Sequence, residues 1–160
     1  MDEEKTLTEF ERDVLDWILR EDERVLQALR QRAMAEPVSN GQFKREKRVL
    51  QVLRQQMMAA SVLGRELTGV GFYVDFAIPD DVPSLNESLG TKRGFAFGNV
   101  GAILEDANVE VGFVLFVRDG RMKMLEGYTY GGEPWPEREG RYRLFYFGER
   151  GTLSGGDRRR

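Results

Sequence analysis

The chain has 160 residues, 41% hydrophobic and 32% charged, with a net charge of −3 and neither cysteine nor histidine. That length and apolar fraction suit one globular domain with a sizeable core. The missing residue types exclude disulfides, Ser–His and Cys–His nucleophile pairs, and zinc sites built on imidazole or thiolate. Only carboxylates, Lys, Arg, Tyr and hydroxyls are left for acid–base work or for a hard cation.

The acidic start "MDEEK", with no apolar run after it, predicts no signal peptide. No apolar run approaches the roughly 18 residues of a membrane span, so a cytoplasmic protein is expected. "TEFERDVLDWILR" predicts the first helix, with Thr8 and Glu11 as a capping box and Phe10, Val14, Trp17 and Ile18 on one face. Asp22 caps a second helix whose inward residues are Val25, Leu26, Leu29 and Ala33. Pro37 stops it, and "PVSNGQ" reads as a turn. A third helix is predicted from about Phe43 to Glu66, striped by Leu50, Leu53, Met57 and Ala60.

The second and third helices contain near copies. "RVLQALRQRAMA" (24–35) and "RVLQVLRQQMMA" (48–59) agree at nine of twelve positions. Each copy carries the same apolar stripe, with Arg24, Arg30, Arg48 and Arg54 off it. Two copies are too few for a solenoid, which favours a tandem duplication of a packing helix over a reading surface used twice.

After Gly69 the period changes from 3.6 to 2. "FYVDFAI" puts Phe72, Val74, Phe76 and Ile78 on one face, and 79–90 is loop by composition. "GFAFGNVGAIL" is a strand weakened or bulged by glycine. "VEVGFVLFVRDGRMKMLEGYTY" is a hairpin turning at Asp119-Gly120, and "RYRLFYFGER" is a last strand. The predicted fold is α+β, with about three N-terminal helices on one face of a four- to five-stranded antiparallel sheet. Residues 1–150 form a single domain, helical over 6–67 and sheet over 69–149, and 151–160 read as a disordered tail.

Charge is unevenly placed. Residues 1–23 hold 10 acidic and 3 basic side chains, and residues 24–65 hold 2 and 9. Either the basic block is satisfied by its acidic neighbour, or it offers a face to an acidic partner such as nucleic acid, with Lys44, Arg45, Lys47 and Arg48 as its contacts. "RGFAF" (93–97) matches the start of an RNA-recognition fingerprint, but "GNV" breaks it, and the helices that fold requires are missing.

An unbroken hairpin register sets Leu115 opposite Met124 and Phe113 opposite Glu126. Glu126 then lies on an apolar face, either as a structural ion pair or, with Asp75 and a tyrosine, as the centre of a carboxylate-dependent enzyme. The segment "GYTYGGEPWPE" is stiffened by two prolines. Tyr128, Tyr130 and Trp135 have the character of binding anchors, with Glu133 and Glu137 adding acidic complementarity. A loop whose tryptophan folds back on the core fits the same residues. No metal or cofactor site is expected: "PDD" (79–81) and "ED" (105–106) lack calcium-loop spacing.

"LRQQMMAASVLGRELTGVGFYVDFAIP", "GFVLFVRDG" and "LEGYTYGGEPWP" together resemble a family of small, uncharacterised bacterial α+β proteins. In that family a single "VLxxLRxQ" helix leads directly to the "TGVGF" strand, which makes the second copy, with "EPVSNGQFKREK" between, an insertion. The family brings no known activity, so the resemblance assigns no catalytic role. In size and architecture it is similar to immunity and inhibitor proteins of bacterial conflict systems. The expected function is binding of an unidentified protein partner; enzymatic activity is not favoured, and oligomeric state is left open.

Overall fold

The structure, a computed structural model, describes residues 3–35, 43–86 and 89–147. A 3₁₀ turn at Glu3–Lys5 leads into α1 (Glu9–Ile18), α2 (Glu23–Ala33) and α3 (Lys44–Ala59). Seven strands follow: β1 (Ser61–Leu67), β2 (Gly71–Ala77), β3 (Gly94–Phe97), β4 (Val100–Leu104), β5 (Val109–Arg118), β6 (Arg121–Thr129) and β7 (Tyr142–Tyr146). The α+β class and the antiparallel sheet agree with the sequence reading. The sheet is larger than the four to five strands expected. Pro37, the "PVSNGQ" turn and the tail 151–160 lie outside the described residues.

Both predicted caps are present. The Thr8 amide donates to Glu11 Oε1 and the Glu11 amide to Thr8 Oγ1, closing the box at α1. Asp22 accepts from the Arg24 amide at the start of α2 and also holds the Arg24 guanidinium at 2.9 Å. The Arg24 side chain is the main reason the Asp22 carboxyl titrates at about 2, below its ordinary 3.8. A lowered carboxyl stabilises the fold above pH 4 and loses that contribution as pH falls toward 2. The stability gap between the native chain and Asp22→Asn should therefore be constant above pH 4 and closed near pH 2 in urea titrations. A gap that persists in acid would contradict this ion pair's role.

The duplicated helices bury equivalent positions: Val25, Leu26 and Leu29 in α2, and Val49, Leu50 and Leu53 in α3. Their arginines serve different neighbours. Arg30 of α2 reaches Glu46 of α3 at 3.0 Å in a buried pair, while Arg54 of α3 reaches Asp16 and the Leu19 carbonyl of α1. Both copies therefore pack the same apolar stripe into the core.

Helix α3 stops at Ala59, seven residues short of the expected end. Residues 61–67 form β1 instead, antiparallel to β2 and in register from Leu67–Phe72 to Gly64–Asp75. The helical apolar phase runs on through Ala60 to Leu67, which hides the change of period. Gly64 and the Thr68–Gly71 turn make the hairpin instead, with the Thr68 amide donating to the Gly71 carbonyl. The glycine-rich stretch 94–104 is divided at Gly98-Asn99 into β3 and β4, which pair with successive halves of β5. These two changes account for the larger sheet, ordered β1-β2-β6-β5-β4-β7 with β3 on β5.

The hairpin turn is at Asp119-Gly120, where φ is 54° and 80°, the mirror-image turn that suits strand twist. The register beyond it differs from the expectation. Val117 pairs with Met122 but Phe116 pairs with Met124, so Lys123 is an extra, bulged residue. A one-residue shift reverses every face that follows. Leu125, fully buried, joins Phe113 and Leu115 on the helical face, and Glu126 moves to the opposite face across from Val114. Deleting Lys123 would leave Met122 and Met124 adjacent with their faces unchanged. That variant is expected to fold with a loss within about 2 kcal/mol; a collapse of near-ultraviolet dichroism would show the bulge to be needed for more than register.

The core lies between the three helices and one sheet face, from Phe10, Val14 and Leu15 to Phe72, Phe113 and Leu115. The opposite face carries no helix among the described residues. Tyr128, Tyr130, Phe145 and Phe147 form an aromatic row there, with neighbouring centroids 5.6–6.0 Å apart. Gly112 and Gly101 give the rings their space: a Cβ at Gly112 would stand 2.7 Å from the Tyr128 hydroxyl, and one at Gly101 2.8 Å from the Phe145 ring.

Candidate interaction surface

Among the described residues β1 forms one rim of the sheet and pairs only with β2, and the 3₁₀ turn Glu3–Lys5 packs against it. A rim strand presents unpaired main-chain groups, and proteins usually guard such strands with charge. On β1 that guard is partial: a register shift between Val62 and Gly64, the exposed Glu66, and the N-terminal turn beside Arg65. Arg65 turns back to Glu11 with two 2.8 Å hydrogen bonds and also donates to the Glu4 and Thr6 carbonyls. Beside Glu66, apolar side chains are exposed: Leu63 is 68% exposed and Leu67 76%, flanked by Met58 at 81% and Val70 at 42%. Open space surrounds Gly64 between them.

Beside this rim, on the helical face, is a cleft of about 360 Å³. Phe10, Phe72 and Trp135 wall it, Leu67 stands at its mouth, and the Glu11–Arg65 pair closes one side. Trp135 is held by its amide, which donates to the Gly69 carbonyl at 2.9 Å, and by edge-on packing against Phe72 at 5.0 Å. The cleft is near the lower limit of small-ligand pockets and has the shape to seat an apolar side chain.

The five residues expected to bind together do not share a surface. Thr129 is buried on the helical side, so Tyr128 and Tyr130 before and after it project from the opposite face. Trp135 folds back to half-bury itself against the core, in line with the core-packing alternative. Glu133 closes its own loop, accepting from the Gly131 amide at 3.0 Å through its carboxylate and from the Thr129 hydroxyl at 2.8 Å through its carbonyl. Glu137 is exposed.

Glu126 and Asp75 share the open sheet face, where Tyr73 is opposite Glu126 and Met124 opposite Asp75. The Tyr128 hydroxyl is pushed up, first by burial and then by the nearby Glu126 charge. The two carboxylates stand at diagonal positions on neighbouring strands, and neither lines the Trp135 cleft. No group of acidic side chains suited to a metal occurs among the described residues.

Four of the nine cations of the basic block, Arg24 among them, pair with the acidic N-terminal segment. Lys47 lies 3.6 Å from Glu21, Arg54 3.3 Å from Asp16 and Arg65 2.8 Å from Glu11. Arg45 is half-buried with its guanidinium against Gly90, while Lys44 and Arg48 are exposed. Internal satisfaction, the first of the two readings of this block, therefore accounts for part of it, and of the four expected nucleic-acid contacts Lys47 pairs with that segment. No described helix is long and apolar enough to cross a membrane.

No family model, curated protein or solved structure matches this chain. The site is therefore read from geometry alone. Sequence reasoning reached Trp135 but missed Leu63 and Leu67, which the helical phase of α3 had absorbed. The signal available was a pair of apolar runs on either side of "TGVG".

Proposed function

We propose that the protein is a protein-binding module, of the inhibitor or immunity type, that takes up an extended segment of another protein along β1. The observation that carries this reading is the group of exposed apolar side chains along the β1 rim. Four of the five most exposed large apolar side chains among the described residues are Met58, Leu63, Leu67 and Val70. Strand addition supplies affinity through main-chain hydrogen bonds and specificity through pockets for alternate side chains, and the Trp135 cleft is such a pocket.

The test is capture from a nuclease-treated lysate. The native chain should retain a protein that Leu63→Lys/Leu67→Lys loses and Tyr130→Ala keeps. Leu63→Lys/Leu67→Lys alters exposed positions, so its unfolding free energy should stay within about 0.5 kcal/mol of the native value; Tyr130→Ala gives up ring contacts with Tyr128 and Phe147 and should cost about 1–2 kcal/mol while still folding. Loss with Tyr130→Ala alone would move the surface to the opposite face. Retention by both variants would remove the rim from consideration.

A further inference from the structure

Resting on that reading, we infer that the segment accepted at β1 alternates apolar and basic residues. An added strand continues the pleat, so its successive side chains fall on opposite faces of the sheet. On the helical face they meet Leu67, Phe72 and the Trp135 cleft, which calls for an apolar residue. On the other face the first neighbour is Glu66, exposed on β1. Behind it in the same row are Tyr73 and Glu126, and Asp75 stands in the next row opposite Gly64.

Three carboxylates thus occupy adjoining positions on β1, β2 and β6. None of them pairs with a cation among the described residues, whereas Glu11, Asp16, Asp22, Glu46, Glu105 and Asp106 all do. The bulged Lys123 sets this arrangement, because without the shift at that point the strand would turn Glu126 toward the core. Lys or Arg on the added strand would lie over Glu66 and Tyr73, with charge and ring face both favourable. The straight half of β1, Gly64–Leu67, is the part that accepts it, since the register shift lies between Val62 and Gly64, and the turn Glu3–Lys5, which packs on β1 and is held by Arg65, moves aside as the segment docks.

The experiment uses the whole protein and three capped, fluorescein-labelled heptapeptides: alternating Leu/Lys, alternating Leu/Glu, and the Leu/Lys composition with the two residue types in separate blocks. Anisotropy titrations at low and high salt should give saturable binding of the alternating Leu/Lys peptide, with at least tenfold weaker binding of the other two. Asp75→Asn/Glu126→Gln, checked for a native thermal transition, should weaken the Leu/Lys peptide about tenfold and flatten its salt dependence. Leu63→Lys/Leu67→Lys should abolish it, as should N-methylation of the peptide amides on one edge. Equal binding of Leu/Lys and Leu/Glu that still depends on Leu67 would overturn the charge assignment and leave the rim reading standing. Binding indifferent to Leu67 and to N-methylation would overturn both, and failure of all three peptides would overturn the alternating pattern.

Discussion

Gln56→Leu is expected to lower the stability of the protein by about 3 kcal/mol, read as a fall in the urea midpoint at unchanged m-value. Gln56 is wholly buried on α3 and spends both ends of its amide. Nε2 donates to the Pro83 and Gly120 carbonyls at 3.0 Å each, and Oε1 accepts from the Met122 amide at 2.9 Å. Leucine keeps the volume and removes all three bonds. The Gly120 carbonyl retains the Leu85 amide. The Pro83 carbonyl and the Met122 amide lose the partner Gln56 supplies, at about 1–3 kcal/mol each. Gln56→Glu should be worse, since a carboxylate facing two carbonyls adds a buried charge. A loss under about 1 kcal/mol for leucine would mean that the loop and hairpin turn relax to new partners. Hydrogen exchange at Met122 would then show no loss of protection.

Gln56 also marks how far the repeat could be read. The copies agree at nine of twelve positions, and one of the three differences sets Gln56 against Arg32, which is exposed on α2. Identity fixed the shared apolar stripe and so the packing role of both helices. The difference between them carries the tie from α3 to the β5–β6 turn, and no pattern internal to the helix announces a partner 64 or 66 residues away.

The same contrast runs through the sheet. Caps, the Asp119-Gly120 turn and the alternation of β2 and β5 are local properties, and they were legible. Two features were not. The apolar phase of α3 continues into β1, and the choice of strand there rests on pairing with β2, which a helical period cannot signal. The bulge at Lys123 leaves "RMKMLEGY" looking evenly alternating, yet it exchanges the faces of Leu125 and Glu126. The cost of burying a carboxylate is a physical argument against the unbroken register, and it was available from sequence. Trp135 was recognised as notable, but its role as a cleft wall depends on Phe10 and Phe72, both distant in the chain.

Phe10→Ala is expected to be the other severe change, at about 3–5 kcal/mol, a large share of the 5–15 kcal/mol typical of a domain. Phe10 is the hub of the aromatic cluster. Its ring lies 4.9 Å from Tyr142, 5.7 Å from Phe113 and 6.5 Å from both Phe72 and Trp135. It joins α1 to β2, β5, β7 and the loop of Trp135, so none of these can close on the space alone. Tyr142 gives a second reason against collapse: its hydroxyl is bonded to Asp13 on α1, which fixes the ring in place. Burial, with that bond, raises the Tyr142 hydroxyl, so it stays protonated across the range in which the fold is measured. Phe10→Leu should recover most of the loss by filling the space without the ring contacts. The Trp135 emission should shift red in Phe10→Ala before global unfolding, because one wall of its cleft is gone. If Phe10→Ala instead unfolds at nearly the native midpoint with unshifted emission, the cleft is supported by Phe72 alone. The rim at Leu67 would then have a softer floor than these contacts indicate.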